Sequence, residues 1–127
     1  MKKFILAPAL VLAILITMQS CQKDVQQHTE MVKEFTIDTT ITADTNYTLN
    51  LAKYGDEGDV ATIIEPAIHA SISQIDNQTD MFTSVYHYTP APKTTGNDEV
   101  TISIKHYNGN QVCGKDSTII YINLTIK

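Results

Sequence analysis

Acidic oxygen ligands are concentrated in one short stretch of the sequence, Asp56-Glu57-Gly58-Asp59. Calcium prefers hard oxygen ligands such as these carboxylates, but the stretch lacks the alternating ligand spacing of an EF-hand loop. The stretch therefore favours a solvated loop, and calcium binding is the weaker alternative. We predict that the protein needs no cofactor.

The histidines are the second group of side chains that could bind a metal. His69, His87 and His106 fall on predicted strands, and the strands of His87 and His106 are candidate neighbours. Zinc sites usually have three or four protein ligands, and the sequence contains no Cys/His spacing motif. We therefore predict ordinary strand histidines and no metal site.

Nothing in the sequence indicates a catalytic nucleophile. No serine stands in the Gly-x-Ser-x-Gly pattern of a nucleophile elbow. Short strands in a domain of this size also give no deep cleft, so we predict that the protein is not an enzyme and name no catalytic residue. Three tyrosines, Tyr86, Tyr107 and Tyr121, could form a partly exposed patch for glycan stacking, although strand tyrosines are more often structural.

The first residues have the layout of an export signal. Lys2 and Lys3 precede an apolar run over residues 4–18, which is shorter than the roughly 20 residues that span a bilayer. Ser20 then precedes Cys21. This segment resembles the signal peptide of bacterial lipoproteins, which implies cleavage before Cys21 and acyl chains such as palmitate on that cysteine. An uncleaved anchor and simple secretion are the competing interpretations.

The residues after the cysteine, Gln22, Lys23 and Asp24, resemble the short signal that sends Bacteroidota lipoproteins to the outer face of the outer membrane. This resemblance implies a protein held by lipid at the cell surface, with a periplasm-facing location as the alternative. Acyl chains contribute about 0.8 kcal/mol per buried methylene, so two or three of them would anchor the protein stably.

Charge excludes one class of partner. From residue 21 onward the chain has seven lysines, no arginine and 14 acidic residues. Binding to nucleic acid needs clustered basic side chains that neutralise phosphates, so we predict no such partner. If Cys21 carries lipid, Cys113 has no partner for a disulfide within the chain.

Alternating apolar residues and regularly spaced turn residues predict one all-β domain at residues 32–127, after a signal peptide at 1–20 and a flexible tether at 21–31. The pattern is typical of an antiparallel β-sandwich with seven strands. In the sixth and seventh strands we expect Val100, Ile102, Ile104, Ile120, Ile122, Leu124 and Ile126 to face inward, and in the fourth Ile68, Ala70 and Ile72. The predicted strands are 33–41, 47–51, 60–64, 68–75, 81–88, 99–107 and 117–127.

The last third of the chain resembles the end of bacterial cadherin-like, immunoglobulin-like repeats. The resemblance rests on Tyr88-Thr89-Pro90, on Gly96-Asn97-Asp98 before an alternating strand, and on the turn Asn108-Gly109. It implies an immunoglobulin-like sandwich, with the Tyr88 ring in the core and Asp98 accepting backbone hydrogen bonds. Related modules bind calcium between tandem domains, but His106 stands here where an aspartate is common.

Two triplets, Asp38-Thr39-Thr40 and Asp116-Ser117-Thr118, resemble the acceptor of Bacteroidota O-glycosylation and make Thr39 and Ser117 candidate sites. The leading functional hypothesis is a lipid-anchored binding module, either an adhesion element or an accessory subunit of an outer-membrane complex. A glycan-binding accessory protein of an uptake system and an inhibitor of a soluble enzyme are the alternatives. We expect recognition through strand edges and through the loops at 53–59, 76–80 and 108–116.

Overall fold

The computed structural model describes residues 31–78, 82–106 and 117–127, so the predicted signal peptide and nearly all of the predicted tether lie outside it. The described residues confirm an all-β fold, and they include one short 3-10 helix at Ala52–Tyr54. Within these ranges, no helix has the length and apolar character needed to cross a membrane. The strands are β1 Val32–Ile41, β2 Tyr47–Asn50, β3 Asp59–Glu65, β4 Ala70–Asp76, β5 Val85–Pro90, β6 Gly96–His106 and β7 Ser117–Ile126.

The strands form two sheets that enclose one core. Sheet I has the order β1-β7-β6-β3, and sheet II has the order β2-β5-β4. Four of the strand pairs are antiparallel, but β1 runs parallel to β7 along its whole length, from Val32 opposite Ser117 to Ile41 opposite Ile126. The prediction of a purely antiparallel sandwich is wrong at this pair, because the first and last strands enter sheet I from the same end.

The alternating residues of β6 and β7 form the centre of the core. All seven side chains predicted to face inward on these strands are no more than 2% exposed. Sheet II contributes the fully buried rings of Tyr86 and Tyr88 to the same cluster, and Leu51 fills it beside β2. Burying an aliphatic side chain of this size contributes about 1.5–3 kcal/mol, so β6 and β7 supply much of the driving force for folding.

The predicted alternation in β4 holds at Ala70, which packs against the core, but fails at Ile68 and Ile72. Ile68 and Ile72 are 79% and 45% exposed, whereas Ile75 packs against the core. The pairing with β5 shifts register between Ala70 and Ile72, which is a β-bulge. One extra residue in a strand reverses which side chains face inward beyond it.

The fifth strand also differs from its prediction, because it starts at Val85 rather than at residue 81. Asn77 organises the preceding loop: its Oδ1 accepts hydrogen bonds from Ser84 Oγ at 2.8 Å and from the Ala61 amide at 3.3 Å, and its Nδ2 donates to the Ala61 carbonyl at 3.1 Å. These bonds tie Ser84, just before β5, to Ala61 of β3 through Asn77, and nearby Phe82 belongs to the core.

The two ends of the sandwich carry different segments. At the end where β1 begins, which we call the N-terminal end, β7 also begins, β6 ends, and Asp59 of β3 lies opposite His106. The opposite end holds the ends of β1 and β7, the start of β6 and the connection from β3 to β4 at residues 66–69. Residues 21–31 therefore lead into the N-terminal end.

Candidate functional site

Asp98 lies at the centre of a hydrogen-bond network that joins the two sheets. Its side chain is only 3% exposed, and Oδ2 accepts hydrogen bonds from the Tyr88 hydroxyl at 2.9 Å and the His69 amide at 3.0 Å. Oδ1 accepts from the Ile68 amide at 3.0 Å and the Glu99 amide at 3.1 Å. The carboxylate therefore fixes the β3–β4 connection to β6 and binds a tyrosine of the other sheet, which gives it a structural role.

Burial controls the ionisation of both core tyrosines. It raises the pKa of Tyr88 far above its usual value, and the hydrogen bond to Asp98 and the charge of that carboxylate raise it further. Burial likewise raises the pKa of Tyr86 to about 12, although a hydrogen bond to Ser73 opposes the rise. Both phenols therefore stay protonated at neutral pH.

The other residues of the cadherin-like motif lie near Asp98 or outside the described part of the chain. Pro90 is buried and ends β5. Gly96 begins β6 with φ of +114°, a backbone conformation that side chains with a Cβ rarely adopt. Gly109 lies outside the described residues.

The acidic loop is organised by its own protein contacts. The Asp59 amide donates to the Asp56 carbonyl at 3.0 Å, and Gly58 enters this turn with φ of +85°. Asp59 Oδ2 accepts from the Asp56 amide, and Oδ1 contacts His106 Nδ1, each at 2.8 Å. Both Asp59 oxygens are thus engaged by protein groups. Across the part of the chain that the structure describes, no three His, Cys, Asp or Glu side chains are grouped to hold a metal ion.

The three histidines in the described part of the chain lie on three different segments: the β3–β4 connection, β5 and β6. The suggestion that His87 and His106 lie on neighbouring strands is wrong, because β5 belongs to sheet II and β6 to sheet I. His87 Nε2 contacts Asp76 Oδ2 at 3.1 Å, while His106 contacts Asp59. His69 uses its backbone: its amide binds Asp98, and its carbonyl accepts from the Ala91 amide at 2.8 Å.

The predicted tyrosine patch does not form around Tyr86. That ring is fully buried, and its hydroxyl lies 2.9 Å from Ser73 Oγ. Tyr107 lies outside the described residues. Tyr121 is 37% exposed on β7, where its hydroxyl donates to Glu34 Oε1 at 3.4 Å, and the charge of Glu34 is the main cause of its raised pKa.

The surface carries apolar side chains that sequence reasoning placed in the core or did not consider. Ile64, Ile68 and Ile72 are exposed along the β3–β4 connection, and we call these three residues the isoleucine ridge. A second register shift, between Ile63 and Glu65, sets Ile64 out of the ladder with β6. Neither bulge has a glycine or proline to mark it in the sequence, so alternation alone could not reveal the ridge.

The candidate modification sites fall in different places. Thr39 is half-buried in β1 opposite Leu124, in the row of β1 residues that includes Ile37 and Ile41. Ser117 is the half-buried first residue of β7. Cys21, the predicted export signal Gln22-Lys23-Asp24 and Cys113 lie outside the described residues. Loop 53–59 is described in full, loop 76–80 only in part and loop 108–116 not at all.

No protein-family model and no curated protein matches the chain. Among solved structures, an endo-fucoidan hydrolase of glycoside hydrolase family 107 is 20% identical with a TM-score of 0.45, over 71% of this chain but only 12% of the hydrolase. A cysteine protease inhibitor from Entamoeba histolytica is 12% identical with a TM-score of 0.39, over 77% of this chain and 97% of the inhibitor. A sialyltransferase from Photobacterium damsela is 15% identical with a TM-score of 0.31, over 77% and 18%. Similarities this low indicate neither a fold family nor a function.

Proposed function

We propose that the chain is a lipid-anchored binding module of the cell envelope, exported to the outer membrane and displayed at the cell surface. One observation carries the proposal: a lipoprotein-like signal ends at Cys21, and the folded domain begins at Val32. The ten residues between them reach at most about 35 Å when fully extended. Such a tether would hold the N-terminal end of the sandwich close to the membrane.

We further propose that the sandwich is immunoglobulin-like, of the cadherin-like kind. Its strand order supports this proposal, because β1 joins the sheet of the last strand while β2, β5 and β4 form the opposing sheet. The buried pair of Tyr88 and Asp98 agrees with the sequence resemblance. Sandwiches of this architecture serve many unrelated functions, so the function must be argued from the surface.

The surface favours recognition of a partner over chemistry on a small molecule. The edge strands β1, β3 and β4 carry exposed apolar side chains, and the loop before β3 carries the carboxylates of Asp56 and Glu57. Adhesion and membership of an outer-membrane complex both fit such a surface. Glycan recognition is the second candidate, because the exposed Tyr121 ring lies beside the Glu34 carboxylate, and aromatic rings and carboxylates are groups that bind sugars.

The anchoring part of the proposal is tested with Cys21→Ala in a Bacteroidota host. The unaltered chain should partition into the detergent phase and be digested by protease added to intact cells, whereas the variant should be found in the aqueous phase. Cys113→Ala is the matched control and should behave like the unaltered chain. Identical partitioning of the Cys21→Ala chain and the unaltered chain would show that lipid on Cys21 is not the anchor.

Crosslinked capture from intact cells, with a C-terminal tag and the Cys21→Ala control, then separates the binding roles. An outer-membrane protein captured only by the anchored chain would identify an accessory subunit. If the anchored chain captures no other protein of its own cell, the target is external, and a glycan array becomes the next measurement.

A further inference from the structure

The outer face of sheet I, which is turned away from the core, carries a concentration of negative charge. Four exposed carboxylates lie on its strands at positions that alternate with residues facing inward: Glu34, Asp38, Glu65 and Glu99. Within the described strands of this sheet, Lys105 is the only lysine on the same face. The face therefore has an excess of negative charge at neutral pH.

The charges of these carboxylates are not neutralised by the protein. Three of the four accept hydrogen bonds from uncharged side chains of β6 and β7, namely Tyr121, Asn123 and Thr101. None of the four lies within ion-pair distance of a described lysine or histidine. A hydrogen bond from a neutral donor leaves the charge of a carboxylate in place, so the face presents this charge to solvent.

The polar groups are contiguous around the ring of Tyr121. Register places one residue of each strand in a single row across the sheet: Thr36, Tyr121, Thr101 and Glu65. The charge of Glu34, and to a smaller extent that of Glu65, raises the pKa of Tyr121, so both carboxylates act on this ring. A ring that is 37% exposed beside two negative charges attracts a cation through its π electrons and through both charges.

A buried hydroxyl on the same face has no partner. Ser103 alternates with the core residues Ile102 and Ile104, so its side chain lies on the outer side of β6. It is 4% exposed, and its Oγ makes no hydrogen bond within the described part of the chain. An unpaired buried hydroxyl costs free energy, so a polar group supplied from outside the chain would be stabilising here.

We propose that the outer face of sheet I binds an arginine-rich segment of a partner protein. This inference rests on the proposed binding role and names the chemistry of the partner. A guanidinium group fits the face well, because it stacks on an aromatic ring and also pairs with carboxylates. The backbone of the bound segment supplies the hydrogen bond that Ser103 Oγ lacks, as the side chains that cover this hydroxyl shift on binding.

The spacing of the charges favours an extended segment over a single cation. Glu34 and Asp38 are four residues apart on β1, which corresponds to about 13 Å. In an extended segment with arginine at every second position, the first and third arginines are the same distance apart on one face. A second copy of this acidic chain or an acidic glycan is repelled by the face, and a neutral glycan gains nothing from its charge.

The test measures binding of a labelled octapeptide of alternating arginine and threonine to the full-length chain in nonionic detergent. Fluorescence anisotropy should show binding that weakens steeply with added salt, and an octapeptide of alternating glutamine and threonine should not bind. Glu34→Gln combined with Glu65→Gln should weaken binding at least about threefold. The matched control, Asp44→Asn combined with Glu57→Gln, removes two charges from exposed loops and should weaken it less than about 1.5-fold.

The ring is tested by a second pair of variants. Tyr121→Leu should weaken binding of the arginine peptide about twofold to fivefold, whereas Tyr121→Phe keeps the ring and should bind like the unaltered chain. Circular dichroism spectra that match the unaltered chain establish that each variant is folded.

Equal weakening by the two double substitutions would show attraction to the net charge of the chain and would overturn the proposal, as would absence of binding by the arginine peptide. Binding of cellopentaose that is lost in Tyr121→Leu, without binding of the arginine peptide, would identify a glycan site instead. Detergent partitioning and capture from intact cells test the proposed function separately. An anchored chain that captures the same partner after Glu34→Gln and Glu65→Gln would keep the proposed function, while this face would lose its role.

Discussion

The Asp98 carboxylate accepts hydrogen bonds on both of its oxygens. Four hydrogen bonds reach its two oxygens from β5, β6 and the β3–β4 connection. A buried charge with this many donors stabilises the fold only while all of them remain in place, because removing the acceptor leaves several buried donors without a partner. Because Asp98 joins the two sheets, we expect the stability of the whole sandwich to depend on it.

Replacement of Asp98 by alanine should therefore be severe. Asp98→Ala removes the acceptor of the Tyr88 hydroxyl and of the amides of Ile68 and His69, and we expect the free energy of unfolding to fall by about 3–5 kcal/mol. Urea denaturation followed by circular dichroism measures the loss. Glu99→Ala, at the exposed neighbouring position, is the control and should change stability by less than about 0.5 kcal/mol. Equal midpoints for the two variants would contradict the role assigned to Asp98.

Tyr86 contributes stability that is lost at alkaline pH. Its folded-state pKa of about 12 lies above the usual phenol value of 10.0, so the unfolded chain releases this proton first as the pH rises. The stability from the neutral phenol is complete below pH 10 and is lost between pH 10 and about 12. Urea midpoints measured across this interval should fall for the unaltered chain and fall less for Tyr86→Phe. A parallel fall in both proteins would show that Tyr86 does not contribute, since Tyr88 titrates in both.

Alternation of apolar and polar residues predicts which side chains face the core in some strands but not in others. Over residues 100–105 of β6 and 120–126 of β7, aliphatic residues occupy every second position, so Val100 and Ile122 could be assigned to the core from the sequence. In β4 the same rule fails, because the bulge near Ser71 reverses the alternation and residue types do not report a local backbone irregularity. The late start of β5 has a similar cause, since the loop before it depends on a long-range bond from Asn77 to Ala61.

Replacing each of two isoleucines by alanine shows how much stability depends on the position of the residue in the fold rather than on its type. Ile102→Ala removes a fully buried side chain from β6 and should lower the free energy of unfolding by about 2–5 kcal/mol. Ile72→Ala, at the bulge of β4, should change it by less than about 0.5 kcal/mol. Thermal or urea denaturation of the two variants checks the difference. A large loss for Ile72→Ala would mean that this side chain packs inside the sandwich, as alternation alone predicts.

At the scale of the whole molecule, the sequence is sufficient to predict an all-β domain and the core of its last two strands. The resemblance also drew attention to Tyr88 and Asp98, whose contact joins the sheets. The parallel pairing of β1 and β7 was not predictable, because it depends on which end of the sandwich receives the first strand. The faces on which Glu34, Asp38 and Glu99 of sheet I lie likewise follow from register.

The parallel β1–β7 pair also determines how the molecule would respond to mechanical load. If the chain is held at Cys21 and its surface is bound elsewhere, tension enters through the start of β1 and is directed along that strand. All ten register positions between β1 and β7 would then be sheared together, rather than being opened one after another from an end. The anchor and the topology together would thus give a strong attachment from weak bonds, because rupture requires many of them to break at once.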